Sequence, residues 1–491
     1  MDRVSDRRPV TTFDQVEEDK VIEMMSASLY SEALVELEKW PEGHPKSWYS
    51  GSCLYYLGDF VRSEKIFREL NAIPGFSVAV PLRLALSLQC QGRLVEALSV
   101  LLPKIVSPPD AEPQSVIKPL IQYGNICLEM GLAEHLQAVL SRFSELLDAS
   151  PDLRFLDAVS SLCIEEYQKG WAIYESRFDL SWGTLPALPA PLLTSASWVD
   201  CQHLALFAEA GQGLGDVLWG LRCVPLLKRF GASVSFVAPP GLVSLLAATG
   251  LFDAVSDAFE GLSVKPTHCL PVMSAPHLLG LKHPAEMPSP ATRLGARQDA
   301  FRLRDHLSAS QTAASSRLVV ALNWQGNQSQ EGPMSAGIRG RSFDCSEFET
   351  VSALRECSLM SVQVGEAAKQ IQDSWLKGCL HPAQEALDRL DRDFLLTADV
   401  LLQCDLLITN DTSVAHLGGL LNIPTWVVLK CFPYWQWGDQ GQGNVWYPSI
   451  RCFRQHRPGD WQSAMDDVNG ALTSLLQGRR LRQETPESPG L

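Results

Sequence analysis

The segment Asn410-Asp411-Thr412-Ser413-Val414-Ala415-His416-Leu417-Gly418-Gly419 follows the apolar run Asp405-Leu406-Leu407-Ile408-Thr409. A strand that turns through Asn-Asp-Thr-Ser into a helix of small residues leaves backbone N–H groups unpaired at the helix start. With the helix dipole behind them, such groups form an anion site. His416 lies four residues after Thr412, so both fall on one face of the helix near its open end. The expectation is a turn that holds the diphosphate of an activated sugar. An ordinary N-cap before a buried helix would leave the same trace, so this stretch alone leaves both readings open.

Upstream, the same alternation recurs. His203-Leu204-Ala205-Leu206-Phe207-Ala208 reads as a buried strand, followed by a glycine turn, a helix from about 215 and a second strand, Ser233-Val234-Ser235-Phe236-Val237. Another unit begins at Leu318-Val319-Val320-Ala321-Leu322-Asn323 and continues through Ser361-Val362-Gln363-Val364, Asp405–Thr409 and Thr425–Leu429. Strand, helix and strand with short turns predict parallel, doubly wound sheets.

Residues 21–150 instead carry helical periodicity. Leu57-Gly58-Asp59-Phe60 with Ser63 and Phe67 aligns with Gln91-Gly92-Arg93-Leu94 with Ala97 and Leu101 at an offset of 34 residues, the tetratricopeptide period. Ser31–Leu34 and Met130–Ala133 resemble less regular copies. An irregular helical bundle is the other reading. Gly170-Trp171-Ala172-Ile173-Tyr174-Glu175-Ser176-Arg177-Phe178 reads as one aromatic-rich helix, and the Pro-rich Leu185–Pro191 breaks the pattern. The expected division is helical repeats over 15–150, a helical and Pro-rich connector over 151–200, one Rossmann-like domain over 201–300, a second over 317–475, and a flexible tail over 476–491, with 294–316 joining the two sheet domains.

The 491 residues leave room for two to four domains. A net charge of −15 argues against a nucleic-acid surface. No secretory signal is visible, and no run reaches the about 18 apolar residues of a spanning helix. Thirteen scattered cysteines without a C-x-x-C pair read as reduced thiols of a cytoplasmic protein, with no zinc site.

The first glycine turn, Glu209-Ala210-Gly211-Gln212-Gly213-Leu214-Gly215-Asp216, is G-x-G-x-G and not the dinucleotide pattern, and no acid closes the second strand. Gly211, Gly213 and Gly215 are expected to let backbone approach a substrate. Asp216, at the carboxyl end of a strand, suits a general base, or simply a helix-start carboxylate. Arg339 and Arg341, after the turn Asn323-Trp324-Gln325-Gly326-Asn327, suit a diphosphate through their forked guanidinium groups, or are solvated loop residues. Gln363, at a strand end, is placed with the donor-binding residues, although such a side chain also serves to satisfy backbone. The aromatic stretch Cys431–Gly438 with Trp446-Tyr447-Pro448 suits ring stacking, or ordinary loop packing.

Together these motifs resemble bacterial tetratricopeptide-repeat proteins with a C-terminal domain related to glycosyltransferase family 9, the ADP-heptose heptosyltransferases. The resemblance covers roughly 165–465 and is carried by GWAIYESRFD, EAGQGLGDVLWGLRCVPLLKRFGASV, LNWQGN with RGRSF, TADVLLQCDLLITNDTSVAHLGGLLNIPTWVVL and WYPSIRCFRQHRPGDW. It implies a GT-B fold of two Rossmann-like domains, acceptor side first, and an inverting, metal-independent transfer with no cofactor. By the same resemblance Asp216 is the base, and Asp411, Thr412, Ser413 and His416 bind the donor diphosphate with Arg339 or Arg341. The implied partners are a nucleotide sugar and a glycan, lipid-linked or protein acceptor, with a protein partner on the repeats; the rival is a scaffold protein with an inactive transferase-like domain. Two departures stand out: arginine replaces the family's lysine after the turn, and Gly418-Gly419 replaces its alanines.

Overall fold

The computed structural model describes residues 15–484 except 74–76, 78, 107–112, 289–293, 296, 308–316, 328–339, 392 and 439. Two compact units result: one ends at Ser160, and the other begins at Ser161 and carries both sheets.

The first unit is helical: α1 (Gln15–Ser26), α2 (Tyr30–Glu38), α3 (His44–Tyr56), α4 (Phe60–Asn71), α5 (Ala79–Cys90), α6 (Leu94–Val106), α7 (Ile117–Glu129), α8 (Ala133–Ser141), α9 (Ser144–Ala149) and α10 (Pro151–Cys163). One turn is used repeatedly. A residue in the left-handed region ends the leading helix of a pair: Ser28 (φ 62°), Gly58 (84°), Gly92 (73°) and Gly131 (67°). The next N–H then returns to the carbonyl five residues back, as Asp59 to Leu54 at 2.9 Å and Arg93 to Leu88 at 3.0 Å. The same device joins α10 to α11 (Tyr167–Tyr174), where Glu165 has φ 65° and Glu166 N–H reaches Ser161 O at 2.9 Å. The turn therefore recurs beyond the two copies that share the 34-residue offset, at unequal spacing. Ala33, Ser63 and Ala97, each five residues past a turn residue, are fully buried. The Ser63 hydroxyl meets its burial by donating to Gly51 O at 2.9 Å. Leucines such as Leu37, Leu88 and Leu101 fill the core between helices, each contributing roughly 1.5–3 kcal/mol.

The second unit holds two all-parallel sheets. The first comprises β1 (His203–Phe207), β2 (Ser233–Val237), β3 (Ala254–Ser256) and β4 (His268–Pro271) in the order β3-β2-β1-β4. Its helices are α12 (Leu214–Gly220), α13 (Val224–Lys228), α14 (Pro240–Ala248) and α15 (Ala275–Leu278). The second sheet runs β6-β5-β7-β8-β9, from β5 (Val319–Leu322), β6 (Ser358–Ser361), β7 (Leu406–Asn410), β8 (Thr425–Leu429) and β9 (Ile450–Arg454). With it go α16 (Gln384–Leu387), α17 (Phe394–Leu401), α18 (Ser413–Leu420) and α19 (Trp461–Glu484). Every residue of β7 and β8 is buried, as parallel strands covered on both faces require. Helical repeats followed by two parallel sheets are what the sequence leads one to expect.

Four local expectations need correction. The strand expected at Ser361–Val364 lies at Ser358–Ser361, because the side chain of Gln363 folds back onto the neighbouring turn. The helix expected over 170–178 gives way after Tyr174 to a 3-10 turn, Glu175–Asp179. Residues 476–484 are helical where a flexible tail was expected. Leu476 is buried in the sheet's core, Arg479 lies 3.6 Å from Asp405, and Arg480 pairs with Glu356. Of the expected connector 294–316, the residues 297–303 are tied to α17: Arg297 Nη2 and the Phe301 N–H both reach Asp399 Oδ2, at 2.9 and 3.1 Å.

Candidate functional site

In doubly wound sheets the carboxyl ends of the strands at an order reversal are where loops from both sides converge. Here those ends belong to β1 on one sheet and to β5 and β7 on the other. Asp216 sits in the first turn of α12, just after β1. The 410–413 turn leaves β7 and opens α18.

The start of α18 is held from below. Asn323, buried at the exit of β5, donates from Nδ2 to Asn410 Oδ1 at 2.9 Å and to the hydroxyls of Thr409 and Thr412 at 3.2 Å each. Asn410 Nδ2 donates to Arg341 O at 3.1 Å, fixing the backbone beside the helix start. The Thr412 side chain is thereby turned inward, and no side chain caps α18. The turn thus lacks the side-chain cap of an ordinary N-cap, while the helix it opens is buried. Ser413 and Val414 are half-buried at the open end, followed by a wholly buried run to Leu420. Gly418 and Gly419 have a steric reason: a Cβ would stand 2.5 Å from Thr425 Oγ1 at the first and 2.5 Å from Tyr447 Cδ1 at the second. The helix lies closer to its neighbours than alanine allows.

His416, in the first turn of α18, is enclosed. It is 3% exposed, its Nδ1 is 3.2 Å from the Tyr447 hydroxyl, and its ring lies against Trp437 at 4.8 Å between centroids. Burial, with the Arg341 charge adding to it, brings its pKa down to about 3, so the imidazole is neutral. The glycine loop corrects likewise. Gly215 faces His416, where a Cβ would come within 2.8 Å of Cδ2; it permits helix α12 to touch helix α18.

Asp216 is half-buried and its Oδ1 accepts from Gln436 Nε2 at 2.8 Å. Burial pushes its carboxyl up to about 6; Gln436 and the Arg341 cation work against that rise, and Asp411 and Glu209 add to it. Asp411 is itself buried beside the helix start, and Arg341 is exposed. Arg339 lies outside the described residues. Gln363, placed with the donor residues, is consumed by backbone. Its Oε1 accepts from the Trp324 and Gln325 N–H groups at 2.9 Å each, and its Nε2 donates to Gln325 O and Val364 O at 3.1 Å. Beside it a cavity of about 460 Å³ opens at the exit of β6, lined by Ser361, Gly365, Lys369, Gln384 and Asp388 among others.

Two supports escaped the sequence reading. Arg177, 1% exposed, makes a forked pair with Glu209 at 2.8 Å per bond, reaches Glu175 at 2.7 Å and Ser274 at 2.7 Å, and lies on the Phe178 ring. It anchors the first residue of the glycine loop. Gln436 arrives on a loop held by aromatic packing. Trp171, Trp219, Trp435 and Trp446 form a buried cluster with centroid separations of 5.0–5.7 Å. All four rings are buried. These aromatics therefore serve as core. Among the described residues no three His, Cys, Asp or Glu side chains gather as a metal-ligand set, all thirteen cysteines are free, and no helix is long and apolar enough to cross a membrane.

No family model matches the chain and no curated protein matches it. Among solved structures it is similar to E. coli ADP-heptose LPS heptosyltransferase II, at 12% identity over 58% of this chain and 100% of that one, with a TM-score of 0.36. A glycosyltransferase family 9 structure from Veillonella parvula gives 9% identity over 56% of this chain and 97% of that one, with a TM-score of 0.37. A point mutant of the Thermobaculum terrenum O-GlcNAc transferase gives 11% identity over 96% of this chain and 94% of that one, with a TM-score of 0.30.

Proposed function

We propose that this chain is an inverting, metal-independent glycosyltransferase of GT-B architecture, acting in the cytoplasm on a nucleoside-diphosphate sugar and a glycan, lipid-linked or protein hydroxyl. The observation that carries the reading is the meeting of a carboxylate at the exit of β1 with an uncapped helix start at the exit of β7. The contact of Gly215 with His416 brings them together within one compact unit.

Asp216 takes the proton of the attacking hydroxyl. A carboxyl near 6 is ionised at neutral pH and more basic than a free aspartate. The acceptor oxygen bonds to the anomeric carbon from the face opposite the leaving group, and the electron pair of the broken C–O bond departs on the diphosphate. The backbone N–H groups at Ser413 and Val414, with Arg341, stabilise that charge. Arg339 joins them by resemblance to the family alone. His416, neutral and enclosed, supports the helix start and does not charge the site. The cavity beside Gln363 takes the nucleoside, with Gln363 shaping its wall. The helical repeats hold a protein partner or a protein acceptor.

Calorimetry of the full chain against ADP, UDP and GDP and their sugars tests this. Binding of one nucleoside diphosphate, abolished by Ser413→Pro and weakened by Arg341→Ala, is expected; no binding across the panel would favour a scaffold protein with an inactive transferase-like domain.

A further inference from the structure

Asp216 and Gln436 stand 220 residues apart in sequence and meet at 2.8 Å. Gln436 is 3% exposed and its backbone is pinned: its carbonyl accepts from Asn444 Nδ2 at 2.8 Å, while Asn444 Oδ1 accepts from the Trp446 and Tyr447 N–H groups at 3.0 and 2.9 Å. Buried Trp435 and Trp437 flank it. Its carboxamide can only donate toward a carboxylate, and it takes Oδ1. The other oxygen, Oδ2, lies 3.3 Å from where a Gly213 Cβ would stand, and Gly213 is exposed. One carboxylate oxygen is thus held and the other lies against the glycine loop at Gly213.

Resting on the transferase reading above, we propose that Gln436 is the positioning residue of the base. Carried by a loop of the second sheet, it holds Asp216 of the first sheet by Oδ1 and turns Oδ2 to the acceptor. The base is thus assembled from both sheets. The charged groups that act on Asp216 are Asp411 and Glu209, which oppose its ionisation, and Arg341, which favours it; the phenols of Tyr174, Tyr434 and Tyr447 lie in its field. Against two carboxylates, the Gln436 donor is a main support of the charged form.

The test is a carboxyl-13C aspartate NMR titration of the full chain, the Asp216 signal being identified by its loss in Asp216→Asn. Gln436→Met keeps the chain length and removes the donor. It should raise the Asp216 midpoint by about one pH unit, the size of one hydrogen bond to a charged group. Asn444→Ala, which releases the loop backbone, should move it the same way by less. The acidic limb of kcat/KM with ADP-glucose, UDP-glucose or GDP-glucose, whichever is turned over, should shift with it. A midpoint unchanged in both variants overturns the proposal; if Gln436→Met does not fold, an unchanged midpoint in Asn444→Ala does so alone. A shifted midpoint in a chain that binds no nucleoside diphosphate would remove the transferase reading and keep the Asp216–Gln436 link.

Discussion

Gly215 and His416 touch across two helices, with room for a hydrogen but not a methyl group: a Cβ on Gly215 would lie 2.8 Å from Cδ2 and 3.3 Å from Nε2 of the imidazole. Trp437 and Tyr447 close the other sides of the ring, so it has nowhere to yield. Gly215→Ala should therefore cost about 1–3 kcal/mol in urea unfolding, the usual cost of overpacking. Because Asp216 is the next residue, activity should fall with it. Unchanged stability would mean that the helices separate freely at this point.

Asp216→Asn should abolish transfer and yet stabilise the fold at neutral pH. The carboxyl is raised in the folded state from an ordinary 3.8 to about 6. The folded chain then holds a proton that the unfolded chain has released, and stability falls as pH rises from 4 to 6. Asparagine removes that loss, so the melting temperature gain of the variant should be small at pH 4 and full at pH 8. In the wild type, transfer should decline as pH falls through about 6. A variant less stable than wild type at pH 8 would contradict the buried-charge argument.

His416 acts with the opposite sign. Its pKa falls from 6.5 unfolded to about 3 folded, so its stabilisation is complete above 6.5 and is lost as pH drops toward 3. His416→Gln should flatten the loss of stability between pH 6.5 and 4, measured by thermal melts. An equally steep loss in the variant would move the acid sensitivity to other groups.

Arg177→Met should cost about 3–5 kcal/mol, because it strands the carboxylates of Glu209 and Glu175 that the guanidinium now pairs. Glu209 opens the glycine loop, so the double change Arg177→Met with Glu209→Gln should recover part of the loss. No recovery would place the cost in packing on Phe178 instead.

Glu165→Gly should stabilise the chain by about 1 kcal/mol, since a side chain in the left-handed region costs that much and Glu165 has φ 65°. Gly58→Ala, at φ 84°, should lose a similar amount. Both are read by chemical unfolding; equal stabilities would show that neighbouring packing sets these turns.

The strands and the turns after them were legible because their signals are local: apolar runs of a few residues ended by glycine or by Asn-Asp-Thr. The positions of Asp216 and the 410–413 turn at strand exits were legible that way. Gln436 and Arg177 carry no local signal, because what defines each is a partner far along the chain, Asp216 and Glu209, and distance in sequence leaves no local pattern. The enclosure of His416 was hidden for a related reason. Helical spacing correctly put it near Thr412, but its exposure depends on Trp437, Tyr447 and Gly215 from other elements. The doubled glycine, seen only as a departure, became intelligible once Thr425 and Tyr447 were in contact with the helix.

The tryptophan cluster has an evolutionary corollary. Trp171, Trp219, Trp435 and Trp446 come from three distant parts of the chain and share one closed space. A smaller ring at any one leaves a hole bounded by the other three and by Tyr167, Tyr174 and Tyr434. Homologous chains should therefore change these four positions in step with one another and with the tyrosines around them, which couples the loop that delivers Gln436 to the helix that carries Asp216.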